Sequence, residues 1–374
     1  MSRNYLPIKI EGDFIDSFIY SGTLFLVNAN SHIATYNWEG LLNKVLLNEK
    51  YNFFEFLKDC RQYLTIDGNE SQEVIYIDEH NLKSQKTGEI LPLKGWSTDI
   101  NVYSNYLYIA DETGVEAINF DYQQKAIDPS LRFPIWGEYA YKISPNNGQR
   151  LAIAAGINGI ITAFPSKNYI KKKDIKIIEI DSCDCEWIGN YLIANSDAGT
   201  FISIFDELPK RPEKPDDFFY KNFNDIKKKP PNTQEILNDS NESVAYGWMS
   251  GSKLFSLSSD GKLVTRNVDL LNANNSNQTE IKLPISSNIL SVRSGLFGAV
   301  IEIGDNLFSL TENGVDVISH RPVSWRVFPR AKNYLNHLHI IENDCLIIRA
   351  YFVNSSDDSD SYGISFDDVI EYNR

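Results

Sequence analysis

Few residues in this chain have the types and spacing that chemistry requires. Cys183-Asp184-Cys185 sets two thiols on one side of an extended segment, the arrangement of a metal or redox pair. Zinc would need two further ligands at suitable spacing, and none lies nearby in sequence. His337-Leu338-His339 places two imidazoles on one strand face beside Glu342 and Asp344, while His32, His80 and His320 fall far from them. The run Ser355 to Ser361, rich in Asp, would attract calcium but lacks the ordered Asp spacing and terminal Glu of a calcium cage. Gly156-Ile157-Asn158-Gly159 is followed by a strand, where a phosphate cradle needs a helix N-terminus. Gly-x-Ser-x-Gly, His-Glu-x-x-His and P-loop patterns are absent. The sequence therefore nominates no catalytic residue, no cofactor and no metal ligand.

What remains is a set of large aromatic and basic residues just before or between predicted strands: Trp96, Arg132, Trp136, Trp325 and Arg326. Trp and Arg are enriched among the anchors of protein interfaces. These five are the expected protein-binding residues, with packing between sheets as the competing role for each Trp.

The elements that must position them are written in period two. Tyr106 to Ala110 alternates, Asp111 to Gly114 turns, and Val115 to Phe120 alternates again before Asp121. This is a β-hairpin, with Gly114 free to take positive φ. Variants recur along the chain. Anchored on Leu24, Leu64, Leu107, Leu151, Leu192, Leu254, Leu307 and Leu346, the unit repeats every 39 to 62 residues. Short strands repeating at roughly 40 to 50 residues indicate a β-propeller, one four-stranded sheet per blade. Eight anchors imply eight blades; seven is the alternative, because the blocks around Leu254 and Leu307 are irregularly spaced.

An apolar residue follows most anchors at thirteen or fourteen positions, and an acid follows it: Trp38-Glu39, Ile77-Asp78, Phe120-Asp121, Phe205-Asp206 and Val268-Asp269, with Phe366-Asp367 near the C-terminus. The apolar member is expected to pack between blades and the acid to accept turn N–H groups. Tyr5 to Ile10 precedes the first unit and is expected to be the outer strand of the last blade, closing the ring and removing unpaired edges. Pro7 is tolerable on such an outermost strand. Residues 1–374 then form one propeller domain. Leu208 to Ser243, rich in proline and in both signs of charge, reads as an exposed insertion between blades, with one short helix near Asp216 to Ile226.

The units Y-L-Y-I-A-D-E-T-G-V-E-A-I-N-F-D and Y-L-I-A-N-S-D-A-G-T-F-I-S-I-F-D resemble the LVIVD-type propeller repeat. That resemblance implies a propeller and carries no single activity with it. The WD-type repeat fits less well, since its Gly-His and Trp-Asp pairs are absent.

A formal charge of −14 opposes docking on nucleic acid or anionic lipid and favours a basic partner. No run of about 18 apolar residues occurs, so no membrane helix is expected. The N-terminus has no apolar segment of signal-peptide length, and four Cys are too few and scattered for a disulfide framework, so the chain reads as cytoplasmic. The expected function is non-catalytic: a protein-binding scaffold or subunit of a bacterial complex, of the kind that neutralises a toxin or serves defence. The alternative is a metal-dependent hydrolase or small-ligand binder with its site in the central channel.

Overall fold

The hairpin that the alternation predicts is present. Tyr106–Asp111 pairs antiparallel with Gly114–Asp121, and Asp111 faces Gly114 across the turn. Asp111 Oδ1 accepts the Thr113 amide at 2.7 Å and its hydroxyl at 2.6 Å, which fixes the turn. Gly114 has φ +138°, and a Cβ there would lie 2.1 Å from the Trp136 carbonyl oxygen. Only glycine lets the outer strand approach so closely.

The computed structural model describes residues 5–46, 51–60, 74–146, 150–164, 175–209, 212–237, 244–268, 279–282, 289–311, 314–331 and 333–352. Its strands form seven sheets, six of four strands and one of five. The inner strands, in blade order, are Phe14–Tyr20, Ser97–Tyr103, Lys142–Pro145, Asp184–Ile188, Tyr246–Ser250, Ile289–Gly295 and Ser324–Val327. The count is therefore seven blades, and the expectation of eight is corrected. Residues 38–84 had supplied the extra repeat. Much of that stretch is helical: α1 (Trp38–Val45), α2 (Tyr51–Lys58) and α3 (Glu79–Ser84). Trp38, Leu41 and Leu42, like Phe53, Phe56 and Leu57, recur at helical spacing and are buried in one cluster against the last and first blades. Leu64 lies outside the described residues. Leu307 and Leu346 stand on third strands of their blades, whereas Leu24, Leu107, Leu151, Leu192 and Leu254 stand on second strands.

The N-terminal strand Tyr5–Glu11 pairs antiparallel with Cys345–Tyr351 through seven residue pairs, and so belongs to the last sheet. The short strand Ile75–Ile77 adds parallel to its other side. Leu6, Ile8 and Ile10 are fully buried there.

The apolar-acid pairs divide between two roles. Phe120 is buried between the first two blades against Phe25, and Asp121 Oδ1 accepts the Gln123 and Gln124 amides at 2.8 and 3.0 Å. Trp38 instead begins α1, and Asp78 caps α3 by accepting the Asn81 amide. Phe366-Asp367 and the acidic run at Ser355 to Ser361 lie outside the described residues.

Within 208–243, helix α4 (Asp217–Lys228) matches the expected helix, and Asp216 caps it through the Phe219 amide. Asn232–Ile236 is the outer strand of the fourth blade. The excursion therefore leaves and returns within one blade, not between two.

Candidate functional site

The inner strands surround a cavity of about 480 Å³ at the hub, within the range typical of small-molecule sites (roughly 300–1,000 Å³). Its walls come from inner strands of six blades. Among the described residues, no three His, Cys, Asp or Glu side chains are grouped to hold a metal.

Ion pairs dominate the hub. Arg326, in the seventh blade, donates from Nε and Nη2 to Asp16 of the first blade at 2.7 and 2.5 Å, and from Nη2 to Asp99 of the second at 2.7 Å. Asp99 is fully buried and also accepts the Ile143 amide at 2.9 Å, with Lys142 Nζ at 3.7 Å. Burial opposes the Arg326 charge, but the two carboxylates overcome it and hold its pKa above the ordinary value. A second network centres on Arg293 of the sixth blade. It pairs with Asp184, stands 3.5 Å from Glu186, and donates to the Tyr246 hydroxyl at 2.9 Å. Burial would raise the Asp184 carboxyl; the Arg293 charge, with Lys142 and the Tyr246 hydroxyl, lowers it to about 2.

Asp16, Asp99 and Asp184 occupy one repeat position, each four residues before the strand-end residue that pairs across the first turn: Tyr20, Tyr103 and Ile188. That recurrence is visible in the sequence once the repeat is aligned on inner strands, and the Leu anchors, which fall on second and third strands, do not bring it out.

The five sequence-expected binding residues fall in three places. Trp96 precedes the second inner strand and is 56% exposed. Trp136 ends the outer strand of the second blade, part-buried against the core shared with the third. Arg132 lies further along that outer strand, bonded through Nε to Glu116 at 2.7 Å, with Nη2 on the other carboxylate oxygen. Trp325 and Arg326 are on the seventh inner strand, where Trp325 Nε1 donates to Glu302 at 2.8 Å. Only Trp96 and Trp136 share a face. His337 and His339 are fully buried on the second strand of the seventh blade. Cys185 is buried and Cys183 exposed.

Loops that enter inner strands share one face of the ring with turns between second and third strands. The Gly156 amide donates to the Ser182 carbonyl and the Gly12 amide to that of Asp344, each joining one such loop to one such turn. On this face stand Trp96, Tyr139, Tyr141, Ile157, Leu290 and Val323, all 40% exposed or more, and of these Tyr141, Leu290 and Val323 reach the hub cavity. Exposed acids Glu112, Glu138, Asp181 and Asp197 lie among them. Cys183 senses the resulting field: burial raises its thiol pKa, and Asp181, Asp197 and Asp184 raise it further.

This geometry can be set beside known proteins. The WD40 domain of Neurospora crassa Pan2 has a similar structure, with a TM-score of 0.51 over 95% of this chain and 99% of that one, at 8% identity. The likeness is one of fold. No protein-family model matches the sequence. No curated protein matches it either. Among the described residues, no helix is long and apolar enough to cross a membrane.

Proposed function

We propose that this chain is a protein-binding propeller that docks a basic segment of its partner on the hub-mouth face. The observation that carries this reading is that six exposed apolar side chains stand on one face of the ring, two of them, Tyr139 and Tyr141, in ring contact, with exposed acids on the same face. Large apolar patches on a soluble surface mark interaction sites, and a polar or charged rim sets orientation and encounter rate. The seven-bladed fold supplies rigid display, and the N-terminal strand serves as the latch of the ring through its pairing with Cys345–Tyr351. A scaffold of this kind needs no reaction of its own.

The test is a pull-down with the intact chain and a Trp96→Ala/Tyr139→Ala/Ile157→Asp variant, followed by binding to the purified partner at two salt concentrations. A partner lost by the variant, engaged through a basic segment and weakened by salt, supports the reading. Unchanged capture by the variant removes this face as the docking surface.

A further inference from the structure

Three arginines reach the hub, and their neutralisation differs. Arg326 and Arg293 each face two carboxylates. Arg330 faces none within ion-pair distance among the described residues; its Nη1 donates to the Pro145 carbonyl. It follows the seventh inner strand on a segment that crosses the end of the channel opposite the mouth. That segment touches the third blade through Arg330, the first through the Tyr334 hydroxyl, which accepts the Gly22 amide at 3.1 Å, and the sixth through the Leu335 carbonyl. The Arg330 side chain is solvent-accessible and lines the cavity with Lys142 and the hydroxyl-bearing Tyr103 and Tyr141.

The acids that also line the cavity are engaged elsewhere. Asp184 and Glu186 face Arg293, and Glu302 accepts from Trp325 Nε1. Surrounding protein mass lowers the Arg330 pKa and outweighs the opposing pull of Glu186, Tyr103 and Asp99, whereas Arg326 and Arg293 are raised by their directly paired carboxylates. A guanidinium that lines a cavity without a directly paired carboxylate is an arrangement that a bound anion completes.

We propose that the hub cavity is a site for a small molecule carrying a carboxylate or phosphate group, which Arg330 binds through its guanidinium. Its anchor, Arg330, stands at the end of the channel opposite the docking face, with Tyr141, Leu290 and Val323 shared by the two. The bidentate edge of the guanidinium suits either oxyanion, and Trp325 on the cavity wall reports occupancy.

Inorganic phosphate and citrate, titrated separately against the whole chain by calorimetry and by tryptophan fluorescence, test the proposal and separate the two oxyanion classes. Saturable binding of either, weakened about tenfold or more in both Arg330→Ala and Arg330→Gln, is expected, since a charge-assisted pair is lost. An Arg321→Ala control, on an exposed cation paired with Asp305, leaves binding unchanged. Circular dichroism establishes that each variant is folded. Absence of saturable binding by both anions, or binding unaltered in the folded Arg330 variants, overturns the proposal. Neither result depends on the partner face, because Trp96 and Ile157 are not touched.

Discussion

Arg326 Nη2 lies 2.7 Å from Asp99 Oδ1, joining the seventh blade to the second across the first. The same guanidinium holds Asp16 of the first blade, so one side chain ties three blades where the two ends of the repeat meet. The chain runs directly from Tyr5–Glu11, in the last sheet, into Phe14 of the first blade, and the Arg326 pairs add a side-chain tie at that junction. A directional charge pair at that junction fixes their relative placement in a way apolar packing alone does not.

Arg326→Ala should destabilise the fold by about 3–5 kcal/mol, because it strips buried Asp16 of its guanidinium and leaves Asp99 with only the Lys142 charge at 3.7 Å. Urea unfolding at neutral pH measures this. A loss under about 1 kcal/mol would show that water reaches these carboxylates and that the pair does not lock the ring.

Removing residues 1–11 should unfold the last sheet or lower the midpoint of unfolding sharply, since Leu6, Ile8 and Ile10 are fully buried and the pairing with Cys345–Tyr351 is lost. The milder Ile10→Ala should cost about 2–5 kcal/mol. Hydrogen exchange locates the effect: faster exchange in residues 345–351 is expected, and unchanged exchange there would contradict a latch role.

Two turn glycines give a controlled comparison. Gly114→Ala forces a Cβ to within 2.1 Å of a backbone oxygen at φ +138°, so the outer strand must move. Gly189→Ala has φ +57° and no neighbour within 4 Å, and should cost only about 1 kcal/mol of backbone strain. Thermal melts should rank Gly114→Ala well below Gly189→Ala; equal losses would mean that the close approach is not maintained.

Mild acid should weaken the fold through two buried histidines. His337 and His339 are fully buried, and three of their four ring nitrogens have no partner among the described residues; the fourth, His339 Nδ1, meets the Ser17 hydroxyl at 3.0 Å. Burial lowers His337 to about 3, and burial with the nearby His337 and Arg326 lowers His339 well below the usual range. A base with a depressed folded pKa binds more protons when unfolded, so stability is unaffected above about pH 6.5 and falls as pH drops from there towards 3. Between pH 6.5 and 4.5 the Asp184 pair is intact, since its carboxyl stays ionised down to about 2. A His337→Phe/His339→Phe variant should therefore lose most of the slope of melting temperature against pH in that window. A slope identical to that of the parent would assign it to other groups.

The local alphabet of this fold is legible in the chain. Alternation at Tyr106–Ala110 and Val115–Phe120 dictates a hairpin because β side chains point to opposite faces in turn, and glycine at 114 is what its turn requires. The N-terminal run Tyr5 to Ile10 reads as an outer strand for the same reason, and Asp216 before an amphipathic stretch reads as a helix cap. Blade number was decided only in three dimensions. Trp38 and Ile77, each followed by an acid, read as ends of separate blade strands, but Leu41, Leu42, Phe53 and Phe56 are buried as helices against the first blade and a last blade distant in sequence. The hub was decided there too. Arg326 and Asp99 stand 227 positions apart, and nothing local tells whether an inner-strand arginine meets solvent or two carboxylates. Closing a ring brings remote side chains to one axis, so the repeat is written in neighbouring residues while the site is written only in their meeting.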